Sequence, residues 1–232
     1  SSCNNDFNPA RLERYLALAH DAMIMPVILL TKADQCDDPD SYLDQARKLG
    51  RNLEVIAFDA KNDNVPEILA LWCGKGQTVA LAGSSGVGKT TVANALTGGN
   101  ALTQDIREDD ARGRHTTTGR SLHRMNTGGW LIDTPGMRGL GVAEVAYGID
   151  ATFPEISERA MKCKFRDCEH ESEPGCKVQE AIAAGDIDPD RLDRFRKLKR
   201  ENEHATQTIA QSRERGRKQG KIFRAAVQKK GR

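Results

Sequence analysis

Residues 83–90 read Gly83-Ser84-Ser85-Gly86-Val87-Gly88-Lys89-Thr90, a full match to G-x-x-x-x-G-K-[ST], and this run constrains the fold more than any other part of the chain. Its glycines let backbone N–H groups converge on phosphates, and the helix N-terminus that follows favours their charge. The flanks fit. Thr78 to Ala82 is apolar and predicts a buried strand, and Lys89 to Leu96 predicts a helix. Gly83 to Thr90, with Thr91 beside them, form the candidate phosphate-binding set. Lys89 would reach the β- and γ-phosphates as a catalytic cation, and Thr90 would offer a hydroxyl to Mg²⁺.

Strand and helix patterns alternate on both sides of this loop. Asn8-Pro9 starts a helix whose apolar face is Leu12, Tyr15, Leu16, Ala19 and Met23. Pro26 to Leu30 and Leu53 to Phe58 are apolar runs of the kind buried on both sides of a parallel sheet. Val65 to Trp72 reads as a helix. Gly98 to Thr118 reads as a long mobile loop. Ser121 to Asn126 and Trp130 to Asp133 flank a Thr127-Gly128-Gly129 turn and predict a hairpin. The fold class is therefore α/β over residues 1–150, followed over 151–232 by a smaller, helical domain.

Two further loops complete a nucleotide site. Asp133-Thr134-Pro135-Gly136 closes the apolar strand after the phosphate loop; Asp133 would hold Mg²⁺ through water, and the Gly136 N–H would meet the γ-phosphate. Thr31-Lys32-Ala33-Asp34 matches the N/T-K-x-D loop of GTPases, whose Asp accepts two hydrogen bonds from guanine N1 and N2 that adenine cannot supply. Here the base-reading loop precedes the phosphate loop, the reverse of the ordinary order. A site assembled from loops at the carboxyl edge of one sheet survives such circular permutation.

The chemistry of the remainder differs. Cys163-x4-Cys168-x-His170-x5-Cys176 sets three thiolates and an imidazole close together, which suits one structural, tetrahedral Zn²⁺; buried free cysteines are the alternative. Residues 191–232 carry 15 Lys/Arg against 4 Asp/Glu, whereas residues 1–190 carry 20 against 29. A basic tail on an acidic body points to a polyanion, with a solvated helical tail as the alternative, and Arg191 to Arg200 and Arg213 to Arg232 are its candidate phosphate contacts. The last twenty residues are expected to fray. With 38% hydrophobic residues and 21 glycines, disorder throughout is excluded. The longest apolar run, Met23 to Leu30, is interrupted by Pro26, so neither a membrane span nor a membrane partner is expected. The first residues, SSCNNDFN, have neither the basic nor the apolar segment of a secretory signal, and cysteine usage fits a reducing cytoplasm.

Asn8 to Asp34, GSSGVGKTT at 83–91, GRHTTT at 113–118, DTPGMRG at 133–139, FPEI at 153–156 and the cluster from Cys163 to Val178 together make the chain similar to the RsgA (YjeQ-type) family of circularly permuted, ribosome-associated GTPases. The resemblance spans essentially the whole chain. It implies GTP hydrolysis to GDP and phosphate, stimulated by the small (30S-type) ribosomal subunit in its late maturation, with rRNA bound and zinc held by the four-residue cluster. That family usually carries an N-terminal OB-fold domain that binds rRNA, and no segment of these 232 residues corresponds to it. Asp59-Ala60-Lys61 stands where a Ser-Ala-Lys-like loop would back the guanine.

Met137 occupies the position at which many GTPases place a water-orienting Gln. Given the resemblance, His115 is the expected substitute, and Thr117 the Mg²⁺-contacting switch residue, with Thr116 and Thr118 as alternatives. The alternative function is a GTP-gated RNA-binding switch with negligible turnover. An ATP-dependent kinase is disfavoured by Asp34 and the permuted order. A monomer is expected.

Overall fold

The computed structural model describes residues 1–99, 121–133 and 141–230. It divides the chain into two compact units, one formed by Ser1–Leu12 with Pro26–Leu140 and the other by Glu13–Met25 with Gly141–Arg232. Helix α1 (Pro9–Asp21) begins where the Asn8 side chain accepts from the Arg11 N–H at 3.0 Å, and Pro9 fits its first turn.

In the first unit, β1 (Val27–Leu30) and β2 (Glu54–Ala57) run parallel, with Val27 opposite Glu54 and Leu30 opposite Ala57. Between them lie a 3-10 turn (Ala33–Gln35) and α2 (Pro39–Arg47). The sequence reading did not anticipate α2, although Asp38 caps it by accepting from the Ser41 N–H at 3.1 Å. The helix expected over Val65 to Trp72 is divided at Leu69 into α3 (Val65–Ile68) and α4 (Ala70–Cys73), because Leu69 leaves helical geometry at φ −98, ψ 11. A second sheet follows in the order β3 (Thr78–Ala80), β5 (Trp130–Asp133), β4 (Ser121–Arg124), with β3 parallel and β4 antiparallel to β5. The expected hairpin is present. Strand β3 corrects an expectation: it is short, and Thr78 and Ala80, on one face of it, are exposed, while among the described residues it pairs only with β5. Helix α5 (Lys89–Thr97) leaves the phosphate loop and buries Val92, Ala93 and Leu96. These meet Phe58, Val65, Leu69, Met125 and Leu131, with Leu29, Ile56 and Val79 packed alongside, so both sheets share one core.

The second unit is helical: the remainder of α1, then α6 (Ala146–Thr152), α7 (Pro154–Ala160), α8 (Lys177–Ala183) and α9 (Pro189–Lys230). Its core joins Ala17, Ile149, Phe153, Ile156, Val178, Leu192, Phe195 and Leu198, with the Phe153 and Phe195 rings edge-to-face at 5.4 Å. Met23, placed on the apolar face of α1 by its spacing, lies past the helix end and is 80% exposed. Gly148 sits where a Cβ would lie 1.9 Å from the Ala17 carbonyl oxygen, so only glycine admits this approach of α6 to α1. The expected fraying is not seen over 213–230, where α9 runs on to Lys230; Arg and Lys are the commonest residues there, and both are strong helix formers.

A buried ionic cluster crosses this unit. Glu13, 1% exposed, accepts from Arg191 Nη1 at 2.8 Å and from Arg194 Nε at 2.8 Å. Arg191 also donates to Glu155 at 2.6 Å and to the Thr152 carbonyl at 2.9 Å, and its guanidinium lies 4.4 Å from the centre of the Phe153 ring. Burial pushes the Glu13 carboxyl up, and Arg194 and Arg191 act against that.

Candidate functional site

The phosphate loop leaves β3 and turns into α5. Gly88 adopts φ +89 as it enters the helix, and a Cβ there would lie 3.4 Å from Thr31 Oγ1. Ser85, Gly86 and Thr90 are exposed, Gly83, Ser84, Gly88, Lys89 and Thr91 half-buried, and Val87 is buried in the core. Lys89 Nζ donates to the carbonyl oxygens of Gly83, at 2.9 Å, and Ser84. Burial pulls the Lys89 ammonium below its usual range, which an anion would offset. Arg11, from the first turn of α1, donates to Ser84 Oγ. Sequence reasoning missed Arg11, since nothing local to residues 9–12 signals a partner 73 positions away.

The base-reading loop leaves the end of β1. Thr31 is 3% exposed, and its hydroxyl donates to the Val87 carbonyl at 2.7 Å, joining this loop to the phosphate loop. Its carbonyl accepts from the Cys3 N–H at 2.9 Å. Lys32 is held at φ +60, a left-handed conformation uncommon for lysine, and Ala33 N–H donates to the Phe58 carbonyl at 3.4 Å. Asp34 follows in the 3-10 turn with its carboxylate exposed. After β2, Asp59 accepts from the Lys61 N–H at 2.9 Å and from Asn62 Nδ2, and the Lys61 N–H holds its carboxyl below the usual range. Asp59 thus shapes the loop at the carboxyl end of the strand beside β1. The backbone of Asp133 ends β5, which runs parallel to β3, so it lies at the same strand edge as the phosphate loop. His115, Thr117 and Gly136 lie outside the described residues.

The ligand atoms of Cys163, Cys168, His170 and Cys176 all lie within 4.8 Å of one another. Cys163 Sγ is 3.9 Å from Cys176 Sγ and 3.7 Å from His170 Nδ1, and Cys176 Sγ is 3.5 Å from that nitrogen. Sulfurs at about 2.3 Å from a tetrahedral Zn²⁺ would stand about 3.8 Å apart, so the set fits that ion with Nδ1 as the imidazole ligand. The surroundings support it. Lys177 N–H donates to Cys163 Sγ and Gln179 N–H to Cys176 Sγ, each at 3.4 Å, while Arg196 grips the Glu169 carbonyl at 2.9 and 3.0 Å. Desolvation and the neighbouring thiols push Cys168 up to about 12, a tendency that a bound cation reverses.

The basic tail is less available than its charge suggests. Arg191 is 6% exposed within the ionic cluster, Arg194 pairs with Glu13, and Arg196 holds Glu169. A count of charges cannot tell which are neutralised inside the fold. Within 191–200, Lys197, Lys199 and Arg200 remain exposed.

A family model described as RsgA GTPase matches residues 1–143. The chain is 58% identical over 210 residues to the small ribosomal subunit biogenesis GTPase RsgA of Mesorhizobium japonicum, covering 89% of this chain and 61% of that protein. It is 45% identical to the small ribosomal subunit biogenesis GTPase RsgA 2 of Vibrio parahaemolyticus, over 99% of this chain and 64% of that one. It therefore spans about three fifths of the length of these curated relatives. Among solved structures, YloQ, a circularly permuted GTPase, superposes with a TM-score of 0.62 at 26% identity, over 89% of this chain and 67% of that chain. YjeQ from Thermotoga maritima superposes with a TM-score of 0.60 at 25% identity, over 85% and 67%. Among the described residues, no helix is long and apolar enough to cross a membrane.

Proposed function

Since this chain belongs to the RsgA GTPase family, we propose that it binds GTP and hydrolyses it to GDP and phosphate in the cytoplasm, acting as a monomer on the small ribosomal subunit late in its maturation. The junction of Thr31 with Val87 supports this most directly, because it sets a T-K-x-D loop against a phosphate loop. Asp34 would accept from guanine N1 and N2, and the loop N–H groups with Lys89 would bind the phosphates. Thr90, Thr117 and Asp133 would hold Mg²⁺, which when bound neutralises charge on the β- and γ-phosphates. Gly136 N–H would contact the γ-phosphate, and His115 would orient the attacking water in place of the missing Gln. Residues 1–150 would handle the nucleotide. Residues 151–232 would carry the structural zinc and present Lys197, Lys199, Arg200 and the helix beyond Arg213 to rRNA.

Phosphate release from GTP and from ATP, with and without purified small subunits, tests the reading. GTP-selective release that rises with subunits is expected, and His115→Ala should abolish the rise. Met137 favours one other reading, a GTP-gated RNA-binding switch. Tight GTP binding with no stimulated release would select it.

A further inference from the structure

We propose that Arg11 is a second cation of the phosphate site, lending its charge to the terminal phosphate of the bound nucleotide; this rests on the GTP-binding reading above. The backbone of Arg11 is fixed by the Asn8 cap at 3.0 Å, so its side chain leaves α1 from a defined point. Its guanidinium donates to Ser84 Oγ while Lys89 Nζ donates to the carbonyl of the same Ser84. Two half-buried cations thus converge on one residue of the phosphate loop, with neutral oxygens as partners. Among the described residues neither forms an ion pair with a carboxylate. Like charges gathered without a counter-ion disfavour the empty loop and favour an anion between them.

The chemistry of arginine fits this role. A guanidinium carries five N–H donors in a planar fork that matches phosphate oxygens, and the Ser84 hydroxyl engages only part of that capacity. An anionic phosphate oxygen is a stronger acceptor for these cationic donors than the neutral oxygens seen here, because attraction between two full charges adds to the hydrogen bond. Added positive charge favours the more highly charged ligand, so Arg11 should discriminate GTP from GDP more than it raises affinity for both.

The test is equilibrium binding of fluorescent GDP and of a fluorescent, non-hydrolysable GTP analogue to the chain and to its Arg11→Gln, Arg11→Lys and Ser84→Ala variants. Arg11→Gln should weaken the GTP analogue about tenfold more than GDP, the scale of one lost charge-assisted hydrogen bond. Arg11→Lys should restore most of the discrimination, and Ser84→Ala, which removes the hydroxyl but not the loop N–H, should change GTP-analogue and GDP affinity by the same factor. Equal losses for the two nucleotides in Arg11→Gln, or a Ser84→Ala variant that reproduces its whole effect, would overturn the proposal and leave Arg11 as a tie that shapes the loop. Matching circular dichroism of the Gln and Lys variants separates these results from misfolding. Failure of the unsubstituted chain to bind either nucleotide would instead overturn the GTP-binding reading itself.

Discussion

The Thr31 hydroxyl and the Val87 carbonyl meet at 2.7 Å inside the protein, tying two loops that are 56 residues apart in sequence. Thr31→Val keeps the volume and leaves the buried Val87 carbonyl without this donor. A loss of about 1–3 kcal/mol in stability is expected, with weaker binding of GTP and GDP alike. Urea unfolding and nucleotide titration measure both, and an unchanged midpoint would show that the tie contributes nothing.

Zinc should be bound one per chain and released by acid. Thiolates and a neutral imidazole are the ligating forms, so protons compete with the metal as the pH falls, and the upward push on Cys168 strengthens that competition. Cys163→Ser should lower the metal content and loosen residues 151–185. Metal analysis and hydrogen exchange across a pH series check this; full zinc occupancy in the variant would remove Cys163 from the ligand set.

Glu173 should titrate far below an ordinary glutamate. Its own backbone N–H and those of Glu169, Glu171 and Ser172 hold its carboxyl down to about 2, the last three at 2.6, 2.8 and 3.0 Å. Its contribution to stability is thus complete above the unfolded value, about 4.3, and disappears as the pH falls through about 2. Glu173→Gln should flatten the acid limb of the stability curve in that window, and a carboxyl resonance titrating near 4 in the unsubstituted chain would contradict the hydrogen-bonded loop.

Glu13→Ala removes the carboxylate that Arg191 and Arg194 share and leaves the buried Arg191 guanidinium with Glu155 as the carboxylate it still meets. Removing one partner of a buried pair is expected to destabilise by about 3–5 kcal/mol, and the helical unit should melt first. Exchange protection in α7 and in α9 around Leu192 reads this directly. Protection unchanged there would mean that Glu155 and the Thr152 carbonyl suffice to hold Arg191.

What the sequence disclosed depended on how far apart the cooperating residues lie. The phosphate loop, the T-K-A-D turn and the metal knuckle are each encoded within a few positions, and the comparisons with known GTPases agree with the fold class they implied. Helix α2 was readable from Asp38-Pro39 and was passed over. Helix α8 was not, because its cap is Cys176, a thiol outside the usual capping set. The pairing of Glu13 with Arg191 spans 178 positions, and that of Arg11 with Ser84 spans 73. Neither leaves a periodic trace, so charges that are internal looked like surface.

The same separation bears on how the chain is made. During synthesis, the second half of α1 leaves the ribosome long before its partners on α9 exist. Until Arg191 and Arg194 emerge, the Glu13 carboxylate has no native partner, and Ala17 waits for the core it joins with Ile149, Phe153 and Leu192. Contacts of such high order form slowly. The stretch carrying Glu13 and Ala17 should therefore be the segment of the nascent polypeptide that waits longest, and the one most exposed to chaperones and proteases while it does.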